Sequence, residues 1–233
     1  MGGGPAAALE DVHRRIASAC SRAGRDPASV ALVAVSKTFA ADRVRELLAC
    51  GHDLFGENRV QEALEKIPRV GPGARWHLVG HLQSNKARHA VGTFELIHSV
   101  DGLDLARELS RRAAARGTVQ PVLVQVNLSR EATKSGAGED AALPLLKAAA
   151  ALPGLEVRGL MTIPPPVEDP EASRPWFALL RDLRDRVEAR LGLELPELSM
   201  GMSDDFEVAV EEGATLVRIG RALFGERPLQ SGT

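Results

Sequence analysis

Lys37 ends the stretch Val30-Ala-Leu-Val-Ala-Val-Ser-Lys-Thr38, in which six apolar residues run without interruption into Ser36. Such a run reads as a strand buried on both faces, as in a parallel sheet covered by helices. An ammonium at the dry end of that strand is partly desolvated, which favours its neutral amine, a nucleophile toward carbonyl groups and aldehydes. The alternative is a lysine whose stem covers apolar surface while its head stays in water. The stretch alone leaves both readings open.

Two later segments have the chemistry of an anion seat. Ser199-Met-Gly-Met-Ser203-Asp-Asp205 follows one apolar run, and Val217-Arg-Ile-Gly220-Arg221 closes another. Gly201 and Gly220 allow close backbone approach, and Ser203 offers a hydroxyl. A helix starting near Ser203 or Arg221 would add N–H groups and a favourable dipole. Each loop read singly is equally a helix cap or a tight turn. Arg218, between Val217 and Ile219, needs a polar face or a buried partner. Beside a pyridine nitrogen, its guanidinium would keep that nitrogen unprotonated. His77 and His81 are four apart, but Gly80 lies between them at a strand end and the Glu of His-Glu-x-x-His is missing, which argues against zinc. No Walker loop, Gly-x-Ser-x-Gly elbow or Gly-x-Gly-x-x-Gly fingerprint occurs.

The elements that must position these groups alternate along the chain. A disordered start over residues 1–6 precedes a helix over 7–23, with Leu9, Val12, Ile16 and Ala19 on one face. Strands are expected at 30–35, 53–57, 76–80, 94–98, 121–127, 155–161, 197–200 and 215–219. Helices are expected at 40–50, 58–67, 84–91, 103–116, 139–152, 175–191 and 204–212, with Asp101 or Ser99 capping the fourth. Eight strand segments, each followed by a helix or helix start, predict a (β/α)8 TIM barrel with an extra N-terminal helix, a single domain over residues 7–233. A doubly wound open sheet is the other arrangement considered. In a barrel, ligands bind at the C-terminal ends of the strands. The residues there are Lys37, Glu57, Asn58, His81, Ser99, Asn127, Met161, Ser203 and Gly220.

Composition removes several function classes. The formal charge of −2 supplies no field for nucleic acid or an anionic membrane, and two Trp, six Phe and no Tyr provide few stacking platforms. No run is long enough to span a bilayer, and the N-terminus lacks the apolar core of a signal peptide. Cys20 and Cys50, the two cysteines, are too few for a disulfide scaffold and read as small buried hydrophobes near helix ends. The chain is expected in the cytoplasm, bound to neither nucleic acid nor membrane.

The motifs Val33-Ala-Val-Ser-Lys37-Thr38, Phe55-Gly-Glu-Asn58-Arg-Val-Gln-Glu62, Trp76-His-Leu-Val-Gly-His-Leu-Gln83-Ser-Asn85-Lys86, Gly159-Leu-Met161-Thr, Leu198-Ser-Met-Gly-Met-Ser203-Asp-Asp205 and Val217-Arg-Ile-Gly220 occur together and in order. Together they resemble the pyridoxal phosphate homeostasis protein family, over about 30–227. That resemblance implies a barrel like the N-terminal domain of bacterial alanine racemase, holding pyridoxal 5'-phosphate (PLP) as a Schiff base. Carried onto this chain, Lys37 would bind the cofactor covalently. Ser203 and the Gly220-Arg221 backbone would hold its phosphate, Arg218 would face its ring nitrogen, and Asn58 and Met200 would lie close by. Many members have Thr where Arg221 stands, so a hydroxyl donor is exchanged for a cation.

Racemases of that fold are similar to two-base enzymes in which a tyrosine from a second domain opposes the lysine. This chain has no tyrosine and only about ten residues after the barrel. Carbanion chemistry on an amino acid is therefore expected to be weak. The expected role is storage, buffering or delivery of PLP, with PLP-dependent apoenzymes as recipients and a monomer as the unit. The alternatives are a PLP-dependent racemase or related enzyme, using Lys37 with His81, and a phosphate-ligand module without PLP.

Overall fold

The computed structural model describes residues 4–129, 131 and 135–225. Its chain order is α1 (Pro5–Arg22), β1 (Ala31–Val35), α2 (Ala41–Ala49), β2 (Leu54–Glu57), α3 (Val60–Val70), β3 (Arg75–Leu78), α4 (Ala87–Ala90), β4 (Leu96–Val100) and α5 (Leu103–Ala115). Then come β5 (Gln120–Asn127), β6 (Ala137–Gly138), α6 (Glu139–Ala150), β7 (Leu155–Met161), α7 (Arg174–Leu191), β8 (Glu197–Ser199), α8 (Phe206–Glu211), β9 (Leu216–Ile219) and α9 (Arg221–Phe224). All strand pairings are parallel, and β1 pairs with β9 while β4 pairs with β5, so β1–β5 and β7–β9 close into an eight-stranded barrel. The two-residue β6 is appended to the end of β5 and was not expected from sequence. The (β/α)8 barrel is the expected one, and the open sheet is excluded by closure.

Strand alternation divides the apolar residues into two layers. Val33, Val35, Leu54, Val79, Leu96, Leu123, Met161 and Leu216 fill the barrel. Leu32, Ala34, Phe55, Val122, Val124, Leu198, Val217 and Ile219 face outward into a larger core beneath the helices. Register carries this across strands: Val33 stands opposite Arg218 and Val35 opposite Gly56.

Several local expectations change. Helix α1 begins at Pro5, inside the segment expected to be disordered; proline at the first helical position gives up no intrahelical bond. Residues 1–3 of that segment lie outside the described residues. The helix expected at 84–91 starts as a 3-10 turn at Ser84–Lys86. Helix α5 is capped by Gly102 with no side-chain bond, because Ser99 is buried and Asp101 pairs with His81. Cys20 is buried as expected, whereas Cys50 is exposed at the end of α2.

Candidate functional site at the barrel mouth

A cavity of about 480 Å³ opens at the C-terminal ends of β1, β8 and β9, within the usual size range of small-ligand pockets. Its walls include Lys37, Asn58, Ser203, Arg218, Gly220 and Arg221, with Val35, Phe39, Val79, Ile163 and Met202 supplying apolar surface. Six of the seven site residues expected from sequence are therefore brought together. Met200 is the exception. Ser199 faces into the barrel, so alternation turns Met200 outward, where it is fully buried in the core under the helices. Met202, two residues on, stands on the cavity wall.

Lys37 extends the inward face of Val33 and Val35 past the end of β1 and is partly buried. The residues on either side of it are fixed from behind the barrel. Ser36 Oγ donates to Glu57 Oε1 at 2.6 Å, and buried Lys66 on α3 pairs with Glu57 and donates to the Ser36 carbonyl at 2.7 Å. The amide of Thr38 donates to Glu62 Oε1 at 2.6 Å, and the same oxygen accepts from Lys66 at 3.0 Å. Thr38 has φ 69°, a left-handed conformation that costs a β-branched residue on the order of 1–3 kcal/mol unless its surroundings enforce it. Glu57 was expected at the mouth; it points the other way, into this network, where burial raises its pKa against the pull of Lys66.

Asn58 follows Glu57 onto the cavity wall, and its backbone packs on Gly80, two residues past β3, where a Cβ would collide with it. On the opposite wall, the loops after β8 and β9 meet. The amide of Ala222 approaches Ser203 Oγ at 3.5 Å, and Arg221 pairs with Asp204. Asp205 holds the first loop in shape, accepting from the Met202 amide at 2.7 Å and the Ser173 hydroxyl at 3.1 Å.

Arg218 forms the floor. It is 4% exposed, donating to Ser199 Oγ at 2.7 Å and to the Thr162 carbonyl at 2.9 Å. It makes no ion pair among the described residues, and burial lowers its pKa to about 10. The other strand-end residues do not join this cavity. His81 is exposed, 3.2 Å from Asp101, and lines a neighbouring cleft with Arg59 and Lys86. Ser99 is buried without a hydrogen-bond partner among the described residues, Asn127 holds its own loop through the Glu131 carbonyl at 2.8 Å, and Met161 is inside the barrel. Sequence reasoning missed Phe39, which stacks on Phe224 at 5.1 Å beside the cavity, and the buried His98. The apolar alternation around His98 was a usable signal for the latter.

Comparison with known proteins agrees with this architecture. The family model of the alanine racemase N-terminal domain matches residues 8–228. A pyridoxal phosphate homeostasis protein of Aquifex aeolicus is 47% identical over 220 residues, covering 94% of this chain and 96% of its own. The structure of PipY from Synechococcus elongatus with PLP bound is 41% identical, with a TM-score of 0.81 over 92% of this chain and all of that one. An alanine racemase from Corynebacterium glutamicum, 21% identical with a TM-score of 0.67, shares the fold over 97% of this chain and 63% of its own. The chain belongs to the alanine racemase N-terminal domain family and, within it, to the pyridoxal phosphate homeostasis proteins.

Proposed function

We propose that this protein binds PLP in the mouth cavity, linked as a Schiff base to Lys37, and holds the cofactor for cellular use rather than turning over a substrate. The observation that carries the reading is the convergence on one cavity of an amine at a strand end, two loops with Ser203 and Arg221, and a buried guanidinium. This donor set fits the group: PLP supplies an aldehyde that condenses with an amine, a phosphate, and an aromatic ring with one basic nitrogen. Lys37 provides the amine; Ser203, the Gly220-Arg221 backbone and the Arg221 cation provide for the phosphate. Arg218 presents a positive charge that opposes protonation of a nearby basic nitrogen. Asn58 bounds the cavity beside Lys37.

Retention without turnover follows from what the walls lack. Among the described residues, apart from Lys37 and the two arginines, the ionisable group lining the cavity is Asp204, engaged by Arg221. His81, the acid or base considered from sequence, lies in the neighbouring cleft. No tyrosine occurs in the 233 residues. Among the described residues, proton transfer at a bound amino acid would thus rest on Lys37. We place the protein in the cytoplasm as a monomer, with PLP-dependent apoenzymes as recipients; no helix among the described residues is long and apolar enough to cross a membrane.

The test has two arms on purified protein: borohydride reduction followed by peptide mass spectrometry, and, on separate unreduced protein, amino-acid incubation in deuterated water. The expected result is a pyridoxyl group on the Lys37 peptide, lost in Lys37→Ala, with no deuterium entering the amino acids. Protein without PLP, or loading unchanged in Lys37→Ala, overturns the reading. Deuterium uptake that depends on Lys37 makes the protein an enzyme.

A further inference from the structure

Beneath the cavity floor, a line of polar side chains crosses the barrel from β9 to β3. Arg218 donates to Ser199 Oγ at 2.7 Å, Ser199 Oγ lies 2.8 Å from His98 Nδ1, and His98 Nε2 lies 3.0 Å from His77 Nδ1. All four residues are buried. A guanidinium only donates. Ser199 accepts from Arg218, and among the described residues its own proton has one other partner, His98 Nδ1; a buried hydroxyl that uses its proton therefore donates there, and His98 Nδ1 accepts. His98 carries its own proton on Nε2 and donates to His77 Nδ1, leaving the His77 proton on Nε2. One permanent donor thus fixes every proton in the line, and both imidazoles are neutral. Desolvation acts the same way, lowering the pKa of His77 to about 4 and that of His98 well below its usual value.

We propose that Ser199, His98 and His77 are positioning residues that hold Arg218 as an undiminished cation facing the cavity. A carboxylate partner would hold the guanidinium as firmly but would cancel its charge. A hydroxyl backed by two neutral imidazoles, together with the Thr162 carbonyl, engages one donor on each terminal nitrogen and leaves the charge. Asp205 is the carboxylate that acts on Arg218, through space, and its own oxygens are engaged by the Met202 amide and the Ser173 hydroxyl. The ligand selected is an aromatic heterocycle whose nitrogen stays unprotonated and accepts, so this half of the inference rests on the PLP reading.

The experiment has two arms. In PLP-free protein labelled with nitrogen-15, histidine ring spectra between mildly acidic and mildly basic pH are expected to show both residues neutral and protonated on Nε2. Arg218→Met releases Ser199, and the His98 ring becomes a mixture of tautomers, with circular dichroism confirming the fold. An imidazolium, an Nδ1–H tautomer in the wild type, or unchanged tautomers in folded Arg218→Met overturns the relay. In loaded protein, Ser199→Ala is expected to speed PLP release about tenfold, the effect of one lost bond to a charged group. His98→Glu is expected to shift the visible band of the bound cofactor toward that of a protonated ring. If His98→Glu does not fold, Ser199→Asp carries the same charge test. Spectra identical to wild type in the folded carboxylate variant overturn the charge argument. Failure to take up any PLP overturns the proposed function and the ligand half of this inference, while the tautomer arm is decided on its own.

Discussion

Lys66 Nζ donates to the carbonyl oxygen of Ser36 at 2.7 Å, which ties helix α3 to the residue just before Lys37. The same ammonium pairs with buried Glu57 and with Glu62, and Glu62 in turn holds the amide of Thr38 just after Lys37. One helix thereby grips the backbone on both sides of Lys37.

Replacing one member of this network leaves an uncompensated charge. Lys66→Met strands Glu57 away from water and is expected to cost about 3–5 kcal/mol. The double variant Lys66→Met, Glu57→Leu removes both charges and is expected to recover a large part of that loss, because buried pairs are often replaceable by apolar residues. Urea unfolding of the two single variants and the double variant gives the coupling; additive losses would show that the pair does not act as a unit.

Gly201 sits at φ 88°, and a Cβ there would lie 2.6 Å from Ala209 Cβ and 2.9 Å from Phe206 Cα. Its role is packing against α8 as the chain turns toward Ser203. Gly201→Ala is expected to destabilise by about 2 kcal/mol from the left-handed backbone and the crowding, a melting temperature about 4–8 °C lower for a domain of this size. PLP release should also quicken, since Ser203 is two residues away. A variant with wild-type melting temperature would contradict the close packing.

How much of this could be read beforehand follows from periodicity. Lys37, Ser203, Arg218 and Gly220 were legible because each follows or interrupts a buried strand, and a parallel barrel sends strand ends to one face. Glu57 was misassigned because strand alternation, not position at a strand end, sets the face: Gly56 stands inside the barrel against Val33, so Glu57 goes outside. Met200 failed for the same reason, one residue beyond inward Ser199. The Lys66 network and the His77–His98 contact join residues 30 and 21 apart, and such pairings come from the register of separate strands and helices rather than from any local pattern.

His77 supplies a pH prediction. Its folded pKa of about 4 lies below the ordinary value near 6.5 for an unfolded histidine. Below that ordinary value the unfolded chain takes up a proton that the folded chain refuses, so stability is complete above about pH 6.5 and falls as pH drops toward 4. The difference amounts to about 3 kcal/mol, and His98 acts in the same direction. Urea midpoints measured from neutral to acidic pH should fall accordingly, and His77→Gln should flatten the slope. A wild-type midpoint independent of pH across that window would contradict a neutral buried His77.

Arg221 allows the proposed phosphate end of the site to be tested separately from fold stability. Its pair with Asp204 joins side chains that are 54% and 74% exposed, and ion pairs so open to water contribute about 0–1 kcal/mol. Arg221→Thr should therefore leave the melting temperature of PLP-free protein nearly unchanged while replacing a cation with a hydroxyl on the cavity wall. A half-exposed cation attracts a phosphate through a field that salt screens, whereas a hydroxyl contributes a short-range bond that salt barely affects. The wild type is thus expected to lose PLP affinity more steeply than Arg221→Thr as ionic strength rises, and Ser203→Ala is expected to weaken both with no change in either salt slope. Equal slopes in wild type and Arg221→Thr would place the Arg221 side chain outside the phosphate site, with the Gly220-Arg221 backbone and Ser203 left as its donors.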